Sequence, residues 1–444
     1  MQTGQNPQAS WLSRRAFLRT TSGAAALAAA VPGTLLASRG SAAPSVVARS
    51  AHVGGMDSIR VGVIGCGGRG TGAAVNALEA DPGTRITALA DVFGDRVGGC
   101  REQLAGMGDF GDRSQVAVEK CHTGLDSYLR VLEDPGVDYV ILATTPGFRP
   151  MHFEAAIAAG KHVFLEKPVA VDGAGIRRVL AAAEAADRLG LNVVAGTQRR
   201  HEASYLAAME EVRSGRIGEV TGAHCYWNQG GLWLRPRQAE WSDLEWQIRN
   251  WLYFTWLSGD HIVEQHVHNL DVVNWAMGSH PVKCMGMGGR QVRTGAEYGH
   301  IFDHFAVEYE YSGGRQVMSM CRQIDGCAGR VEERIFGTQG RLTTRPGFAV
   351  VEGARGWRFG AANASPYMQE HADLIAAMRG ERLNEARQVA ESTLTAIMGR
   401  MSAYTGQEVT WEQALNSEQV LMPASLEGEI SVPAVAVPGQ TPLV

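Results

Sequence analysis

Residues 60–70 read RVGVIGCGGRG, an apolar run that ends in the pattern Gly65-x-Gly67-x-x-Gly70. Residues 71–78 follow directly and predict a helix. A strand, a glycine-rich turn and a helix in this order are typical of a dinucleotide site, because the glycines permit a tight turn and a close approach of backbone N–H groups to a pyrophosphate. The positive end of the helix then faces that anion. An ordinary strand–turn–helix connection is the alternative.

A second predicted strand, Arg85 to Asp91, ends in a carboxylate at close to the usual spacing after Gly65 for the group that accepts a hydrogen bond from a ribose 2′-OH. Because a carboxylate repels a 2′-phosphate, Asp91 predicts NAD and makes NADP the less favoured cofactor, although Arg96 nearby leaves some room for NADP. The predicted cofactor contacts are Gly65, Gly67, Gly68, Arg69, Gly70, Asp91, Thr144, Thr145, Pro146, Glu166 and Lys167.

The composition is that of a globular chain with a sizeable core. It has 444 residues, of which 45% are hydrophobic and 20% charged, so two domains with additions are expected. The net charge is only −5 and no cluster of Lys and Arg resembles a nucleic-acid footprint, so no nucleic-acid partner is predicted. The seven cysteines form no CxxC pairs, which argues against a disulfide scaffold and a structural zinc site.

The N-terminal residues resemble a twin-arginine export signal. Arg14 and Arg15 precede a Phe-Leu pair, a weakly hydrophobic run at 23–31 and small residues through Ala43. The apolar run is too short and too rich in alanine for a stable membrane span; a disordered basic N-terminus is the alternative. We therefore expect export of the folded protein by the twin-arginine machinery to the periplasm or cell envelope.

Alternating strand-like and helix-like runs from Arg60 onward predict an α/β fold with a doubly wound parallel sheet, and segments between 282 and 344 predict a large, mostly antiparallel open sheet. One face of that second sheet would be free for a partner subunit. The predicted units are a signal peptide at 1–43, a linker at 44–58, a Rossmann domain at 59–198, a C-terminal α/β domain for substrate and oligomerisation at 199–421, and a loosely ordered tail at 422–444.

The first candidate for chemistry is Glu166-Lys167-Pro168, which follows the predicted strand at 161–165. A lysine at a strand end beside the cofactor cleft can hydrogen-bond a substrate hydroxyl and help to remove its proton. A lysine that is simply ion-paired with Glu166 is the alternative.

The second candidate is the cluster from Glu264 to Asp271, on a helix predicted within 259–275. Glu264, His268 and Asp271 would share one helix face, so carboxylates could orient His268 as a proton relay. A metal held by His261, Glu264 and His268 is a weaker alternative, because the HExxH pattern is missing, and no metal is predicted. A buried histidine without a catalytic role is the remaining possibility.

Substrate contacts are harder to read from the sequence. The tryptophan-rich stretch 224–256 suits either a sugar-stacking wall or an apolar core or subunit interface. Helices are predicted at 367–378 and 384–404. Candidate substrate contacts, each of which could equally be packing or surface residues, are Arg199, Arg200, His152, Asn228, Tyr367 and His371.

Taken together, the glycine pattern, the Glu-Lys-Pro motif and the cluster at 264–271 resemble the glucose–fructose oxidoreductase/inositol dehydrogenase (Gfo/Idh/MocA) family over residues 59–405. The resemblance implies a Rossmann domain, a second domain whose open sheet carries dimer or tetramer contacts, a nicotinamide cofactor, and a sugar, polyol or related substrate. It also implies that Lys167 and His268 are catalytic. Glu264 stands where relatives usually have Asp, and His266 where many have Gly, which leaves the width and charge of the substrate pocket open.

The implied reaction is hydride transfer between a sugar carbon and nicotinamide, with Lys167 or His268 handling the hydroxyl proton. Because little free NAD is expected outside the cytoplasm, we expect the cofactor to be tightly bound and to be restored within each catalytic cycle. One alternative is an NAD-dependent glycoside hydrolase that works by transient oxidation and elimination. Another is a non-catalytic sugar-binding protein.

Overall fold

The computed structural model describes residues 58–380 and 382–444. The predicted signal peptide and all but the last residue of the predicted linker lie outside the described residues. Of the helices in the described ranges, none combines the length and the apolar character that a bilayer crossing requires.

The first domain is a parallel six-stranded sheet in the order β3-β2-β1-β4-β5-β6. Its strands are β1 (Ile59–Ile64), β2 (Thr84–Asp91), β3 (Cys121–Thr123), β4 (Tyr139–Leu142), β5 (His162–Leu165) and β6 (Val193–Ala195). Its helices are α1 (Gly68–Ala80), α2 (Gly94–Ala105), α3 (Ser127–Glu133), α4 (Arg149–Ala158) and α5 (Gly173–Leu189). The central strands β4 and β5 are wholly buried, as expected for a sheet with helices on both faces. The predicted doubly wound fold is confirmed.

The second domain is built on a nine-stranded sheet in the order β14-β13-β12-β11-β7-β10-β9-β8-β15, in which only the β7–β10 pair is parallel. The strands are β7 (Val220–Gln229), β8 (Pro281–Gly289), β9 (His304–Tyr311), β10 (Arg315–Gln323), β11 (Arg330–Gly337), β12 (Gly340–Arg345), β13 (Phe348–Gly353), β14 (Trp357–Arg358) and β15 (Val409–Thr410). Burial alternates along β9, so one face packs on helices and the other is open. The predicted mostly antiparallel open sheet is confirmed.

The remaining helices are α6 (Ala203–Arg213), α7 (Asp243–Arg249), α8 (Thr255–Ser258), α9 (His261–Glu264), α10 (Val267–Met277), α11 (Pro366–Arg379), α12 (Ala386–Thr405) and α13 (Trp411–Asn416). Short 3-10 turns occur at Gly108–Ser114, Val118–Lys120, Pro146–Phe148, Gln198–His201, Trp251–Tyr253 and Ala296–Tyr298.

The single helix predicted within 259–275 is wrong, because the chain forms two helices, α9 and α10, separated at Gln265 and His266. The N–H groups of both of these residues donate to the carbonyl of His261, at 3.0 and 3.1 Å. The second of these hydrogen bonds spans five residues and not four, so the turn is wider than in an α-helix. The His266 ring is buried and its Nε2 lies 2.7 Å from Ser319 Oγ on β10. A tertiary contact with the sheet therefore overrides the helical pattern of the sequence.

Helix α11 crosses back to the first domain. Its apolar residues Leu374, Ile375 and Met378 belong to the same buried cluster as Ile59 and Val61 of β1. The Rossmann core is thus completed by a helix that lies, along the chain, within the predicted C-terminal domain at 199–421.

The tail at 422–444 forms no helix or strand, yet it is attached at several points. Ile430 is buried and its carbonyl accepts a hydrogen bond from Gln247 Nε2 at 2.7 Å, while the Gly439 N–H donates to the Thr405 carbonyl at 2.8 Å.

Candidate functional site

A cavity of about 640 Å³ lies between the carboxyl ends of the parallel strands and the second domain. This is the place where open α/β sheets bind ligands. The predicted site residues that line it are Gly65, Gly67, Gly68, Arg69, Asp91, Thr144, Thr145, His152, Glu166, Lys167, Glu264, His268 and Tyr367.

The glycine loop has the shape that a dinucleotide requires. Gly65 has φ +98°, and a β carbon there would lie 2.6 Å from the backbone nitrogen of Thr144. A β carbon on Gly70 would lie 1.7 Å from the Gly65 carbonyl oxygen, whereas Gly67 and Gly68 face open space. Two glycines therefore let helix α1 approach the sheet, and the other two leave the helix N-terminus accessible to a pyrophosphate.

Asp91 is fixed at the end of β2 by the loop itself. Its Oδ2 accepts from the Cys66 N–H at 2.7 Å and its Oδ1 accepts from the Phe93 N–H at 3.0 Å. Burial raises the pKa of the Asp91 carboxyl, and the two backbone N–H groups act against that rise. A carboxylate held at this wall fits a ribose hydroxyl, so the residues present fit NAD.

Arg69 leaves the glycine loop and turns into the cavity. Its Nε donates to Glu166 Oε1, its Nη2 lies 3.7 Å from Glu370 Oε2, and its guanidinium sits 5.1 Å from the Tyr367 ring centroid. Burial opposes ionisation of Glu166, but Arg69 and Arg149 outweigh it and hold the pKa of that carboxyl below its usual value. Glu166 therefore anchors Arg69 at the floor of the cavity.

Lys167 is paired with Glu264 and not with Glu166. Its Nζ donates to the Glu264 backbone carbonyl at 2.7 Å and to Oε1 of the same residue at 3.2 Å. Lys167 follows β5 of the first domain, and Glu264 ends α9 of the second. The ammonium group thus joins the two domains inside the cavity.

His268 lies beside this pair, with its ring stacked on Trp227 at a centroid distance of 5.7 Å. Its Nδ1 is buried and has no hydrogen-bond partner among the residues described. Burial, followed by the charge of Lys167, lowers the pKa of His268 well below its usual value. The imidazole is therefore neutral at neutral pH and able to accept a proton.

The prediction that Glu264 and Asp271 orient His268 has to be corrected. Glu264 binds Lys167, and Asp271 accepts from Arg200 Nε at 2.8 Å and from Ser392 Oγ at 2.8 Å. The interruption between α9 and α10 removes the shared face on which that prediction depended.

Four candidate substrate contacts lie away from the cavity. The predicted cofactor contacts Gly70 and Pro146, and Asp271 of the predicted catalytic cluster, do not line it either. Arg199 is buried and ion-paired with Glu333 on β11. Arg200 binds Asp271, Asn228 lies in a separate depression beside β11, and His371 is buried 4.2 Å from the Phe164 ring centroid. Ion pairs account for Arg199 and Arg200, core packing accounts for His371, and Asn228 faces the separate depression, so the prediction that these four residues contact substrate in this cavity is wrong.

His152 and Tyr367 do reach the cavity. The His152 Nδ1 lies 3.0 Å from Thr144 Oγ1, and burial followed by the charge of Arg149 lowers the pKa of His152 to about 3. His152 is therefore a neutral polar group of the wall.

The geometry does not support the weaker alternative of a metal held by His261, Glu264 and His268. His261 Nδ1 lies 3.0 Å from Asp260 Oδ1 and its ring packs on Phe305, so it does not converge with Glu264 and His268. Within 58–380 and 382–444, no three His, Cys, Asp or Glu side chains are arranged to hold a metal ion.

Several cavity residues were not predicted. Five of them come from the stretch 230–253, for which the tryptophan content was the only sequence signal. Trp233 and Trp251 line the cavity, whereas Trp246 and Trp256 are buried in an apolar cluster. The apolar-core alternative therefore holds for part of this stretch, and the sugar-stacking wall stays a prediction. The residues missed by sequence reasoning are Val92, Phe93, Leu125, Ala143, Phe148, Arg149, Gly196, Gln198, Trp233, Arg235, Ile248, Arg249, Trp251 and Gln265.

Comparison with known families identifies both domains. Residues 59–193 match the model of the oxidoreductase family with an NAD-binding Rossmann fold, and residues 205–343 match the GFO/IDH/MocA C-terminal domain. The chain belongs to the Gfo/Idh/MocA oxidoreductase family. The predicted family and the predicted NAD-binding Rossmann domain are confirmed.

Individual relatives are distant. The chain is 29% identical to an inositol 2-dehydrogenase of Pseudomonas fluorescens, over 59% of this chain and 66% of that protein. It is 27% identical to a glycosyl hydrolase family 109 protein of Streptomyces coelicolor, over 44% of this chain and 42% of that protein. Each match therefore covers less than two thirds of the relative's own length.

The fold is shared with solved structures. One is the scyllo-inositol dehydrogenase of Lactobacillus casei with bound NAD(H) and scyllo-inositol, with a TM-score of 0.62 and 18% identity over 80% of this chain and 99% of that one.

The glycine loop provides a test with an internal control. Gly70→Ala should destabilise the protein by roughly 2 kcal/mol or more, because the new methyl group overlaps a backbone oxygen. Gly68→Ala should change the free energy of unfolding by less than about 0.5 kcal/mol, because its β carbon meets open space. Urea unfolding measures both, and equal stabilities of the two variants would contradict this account of the loop.

Proposed function

We propose that this protein oxidises a polyol, sugar or sugar derivative by hydride transfer, using an NAD that stays bound throughout the catalytic cycle. The observation that carries the proposal is that the Lys167 ammonium and the neutral His268 imidazole line the same cavity as the glycine loop and Asp91. The naming of a 29% identical relative as an inositol 2-dehydrogenase supports a polyol or sugar as substrate.

When bound, NAD supplies the hydride acceptor. Lys167 has three N–H donors, of which two point at Glu264 oxygens. The third is left for a substrate hydroxyl, whose ionisation the positive charge favours. Glu264 therefore acts as a positioning residue for Lys167.

His268 is the proton acceptor in this proposal. A hydroxyl loses its proton as the neighbouring C–H bond loses hydride, so a neutral base must stand within reach. Burial and Lys167 keep His268 neutral, and Trp227 holds the ring plane in position.

A retained cofactor has a direct experimental signature. Purified protein should still contain nicotinamide dinucleotide after extensive dialysis, and release by denaturation followed by mass spectrometry should identify NAD. Incubation with free aldoses and inositols, without added NAD, should then give more than one equivalent of oxidised product per protein only when a second carbonyl substrate restores the cofactor. Protein that is empty and binds no dinucleotide would contradict the proposal.

A glycoside hydrolase is the second candidate, because a 27% identical relative is named as a glycosyl hydrolase family 109 protein. The same product analysis on aryl glycosides separates the two candidates: release of the aryl group without net oxidation favours the hydrolase. If the protein binds a sugar but converts neither the free aldoses and inositols nor the aryl glycosides, the result would favour a non-catalytic sugar-binding protein.

Replacement of either catalytic candidate should strongly reduce turnover without emptying the cofactor site. Lys167→Met and His268→Ala should each lower kcat by about 10²- to 10⁴-fold. Lys120→Met and His304→Ala, which replace the same residue types outside the cavity, serve as controls. Full activity in both site variants would overturn the assignment, and the dinucleotide content of each variant shows whether cofactor loss is the cause.

We also propose export through the twin-arginine pathway to the periplasm or cell envelope, on the basis of Arg14, Arg15 and the apolar run that follows. The double replacement Arg14→Lys, Arg15→Lys should leave the protein in the cytoplasmic fraction, whereas Arg19→Lys should not. Equal export of both variants in cell fractionation would refute the pathway.

Assembly through the open sheet face is a further part of the proposal. Met285 and Met287 on β8 are 59% and 74% exposed, and Met320 on β10 is 41% exposed, which gives this face an apolar character. Light scattering should show a homodimer or homotetramer, and Met287→Glu should shift it towards monomer more than Val118→Glu, which changes an exposed residue of the first domain. A monomeric wild type would contradict this assembly.

A further inference from the structure

One end of the cavity is lined by a segment that comes from the second domain. We propose that residues 230–253, named here the cofactor cover, hold the adenosine half of NAD in its site, and that the ion pair between Arg249 and Asp95 keeps this cover closed. The inference rests on the proposed function, because it explains how a bound NAD is retained.

The cover and the first domain form the two walls of the adenosine end. Asp91, the residue placed to contact the adenosine ribose, is followed by further lining residues on the same side. The lining residues of the first domain at this end are Asp91, Val92, Phe93 and Arg96, and those of the cover are Trp233, Arg235, Ile248, Arg249 and Trp251. A dinucleotide that lies on the glycine loop with its ribose at Asp91 is therefore covered by these five side chains.

The cover is braced internally. Tyr253 Oη donates to the Trp233 carbonyl at 2.8 Å, and the Arg235 N–H donates to Asn250 Oδ1 at 3.0 Å. The Trp233 and Trp251 rings lie 6.2 Å apart. These contacts tie the loop to the helical part of the segment, so opening requires the segment to move as one unit.

Arg249 attaches this unit to the first domain. Its two terminal nitrogens each donate to an Asp95 oxygen at 3.0 Å, and its guanidinium lies 3.9 Å from the Phe93 ring centroid. Glu245 accepts from Arg249 Nε at 2.8 Å and fixes the side chain from within the cover. Asp95 is on α2 and does not line the cavity. It can therefore be replaced without touching the ligand.

The chemistry of the cover suits an adenosine group. Burial and the charges of Arg96 and Arg249 lower the pKa of Arg235, which shows that three guanidinium groups share this end of the cavity. Among the described residues, the side chains of Arg96 and Arg235 form no ion pair. Guanidinium and indole planes stack on purine rings and face electron-rich groups, so a purine nucleoside is the ligand class that this wall fits.

The outer side of the cover is held by the tail. Gln247 Nε2 donates to the Ile430 carbonyl at 2.7 Å, while Gln247 Oε1 accepts from Trp256 Nε1 at 2.7 Å. The cover also shares an apolar cluster with Phe148 of the first domain, and separation of Arg249 from Asp95 is the polar step of its opening. The rate of NAD release should therefore depend on this pair.

The test measures release of labelled NAD from the full chain, chased with excess unlabelled NAD. Asp95→Asn should raise the release rate about threefold to tenfold, the range expected for loss of a two-point Arg–carboxylate pair at a partly exposed site. Arg249→Ala should raise it further, because it also removes a cavity wall. Glu154→Gln, which breaks an exposed ion pair with Arg178 in the same domain, should leave it unchanged.

A salt series gives a second readout that a merely structural role would not move. Release from the wild type should accelerate with ionic strength, and release from Asp95→Asn should depend on salt much less. Equal release rates and equal salt dependence for the wild type, Asp95→Asn and Glu154→Gln would overturn the inference, provided that thermal unfolding shows all three to be folded.

The outcomes for the two proposals can be told apart. Complete exchange of label from the wild type within seconds would contradict a retained cofactor, which is the proposed function. The ratio of release rates between Asp95→Asn and the wild type, measured by stopped flow in that case, would still decide whether the ion pair closes the cover.

Discussion

The ammonium group of Lys167 is held between the backbone carbonyl and the carboxylate of Glu264. This contact joins the end of a Rossmann strand to a helix of the second domain, so it ties the two halves of the cavity together at the point where chemistry is proposed. It also places a positive charge beside His268, which adds to burial in keeping that imidazole neutral. The position of this lysine thus reinforces the effect of burial on the protonation state of its neighbour.

The contact exists because the helix is interrupted. In a continuous α-helix the Glu264 carbonyl would accept from the His268 N–H four residues later. Here the His268 N–H is directed at the Gln265 carbonyl, 3.5 Å away, and the Glu264 carbonyl is free for Lys167. Asp260, at φ +72°, starts α9, and its carboxylate accepts from the Phe302 N–H and from Tyr404 Oη. This left-handed conformation is strained for a residue other than glycine, and these surrounding contacts hold it in place.

The sequence was sufficient wherever a local pattern determines the structure. Three short segments line the cavity as predicted: the glycine loop, the strand ending at Asp91 and the motif at Lys167. The position of each is determined by its own turn or strand end. Predictions failed where a contact with a residue far along the chain determines the position of a side chain or the end of a helix. Arg199 looked available for substrate until the fold placed Glu333 beside it, and the helix at 259–275 was interrupted by the contact between His266 and β10. Neither partner is visible from spacing.

Under the proposed function, a covered and retained cofactor changes what Lys167 and His268 have to do. If oxidation and reduction both take place before NAD leaves, the proton that His268 accepts in the first half of the cycle must be returned in the second. A base that is neutral at rest and becomes charged beside Lys167 gives that proton up readily, because burial and like charge both disfavour its charged form. The same pair of side chains therefore suits a redox-neutral cycle, in which the proton is taken up and returned at one site. This applies equally to exchange between two sugars and to glycoside cleavage.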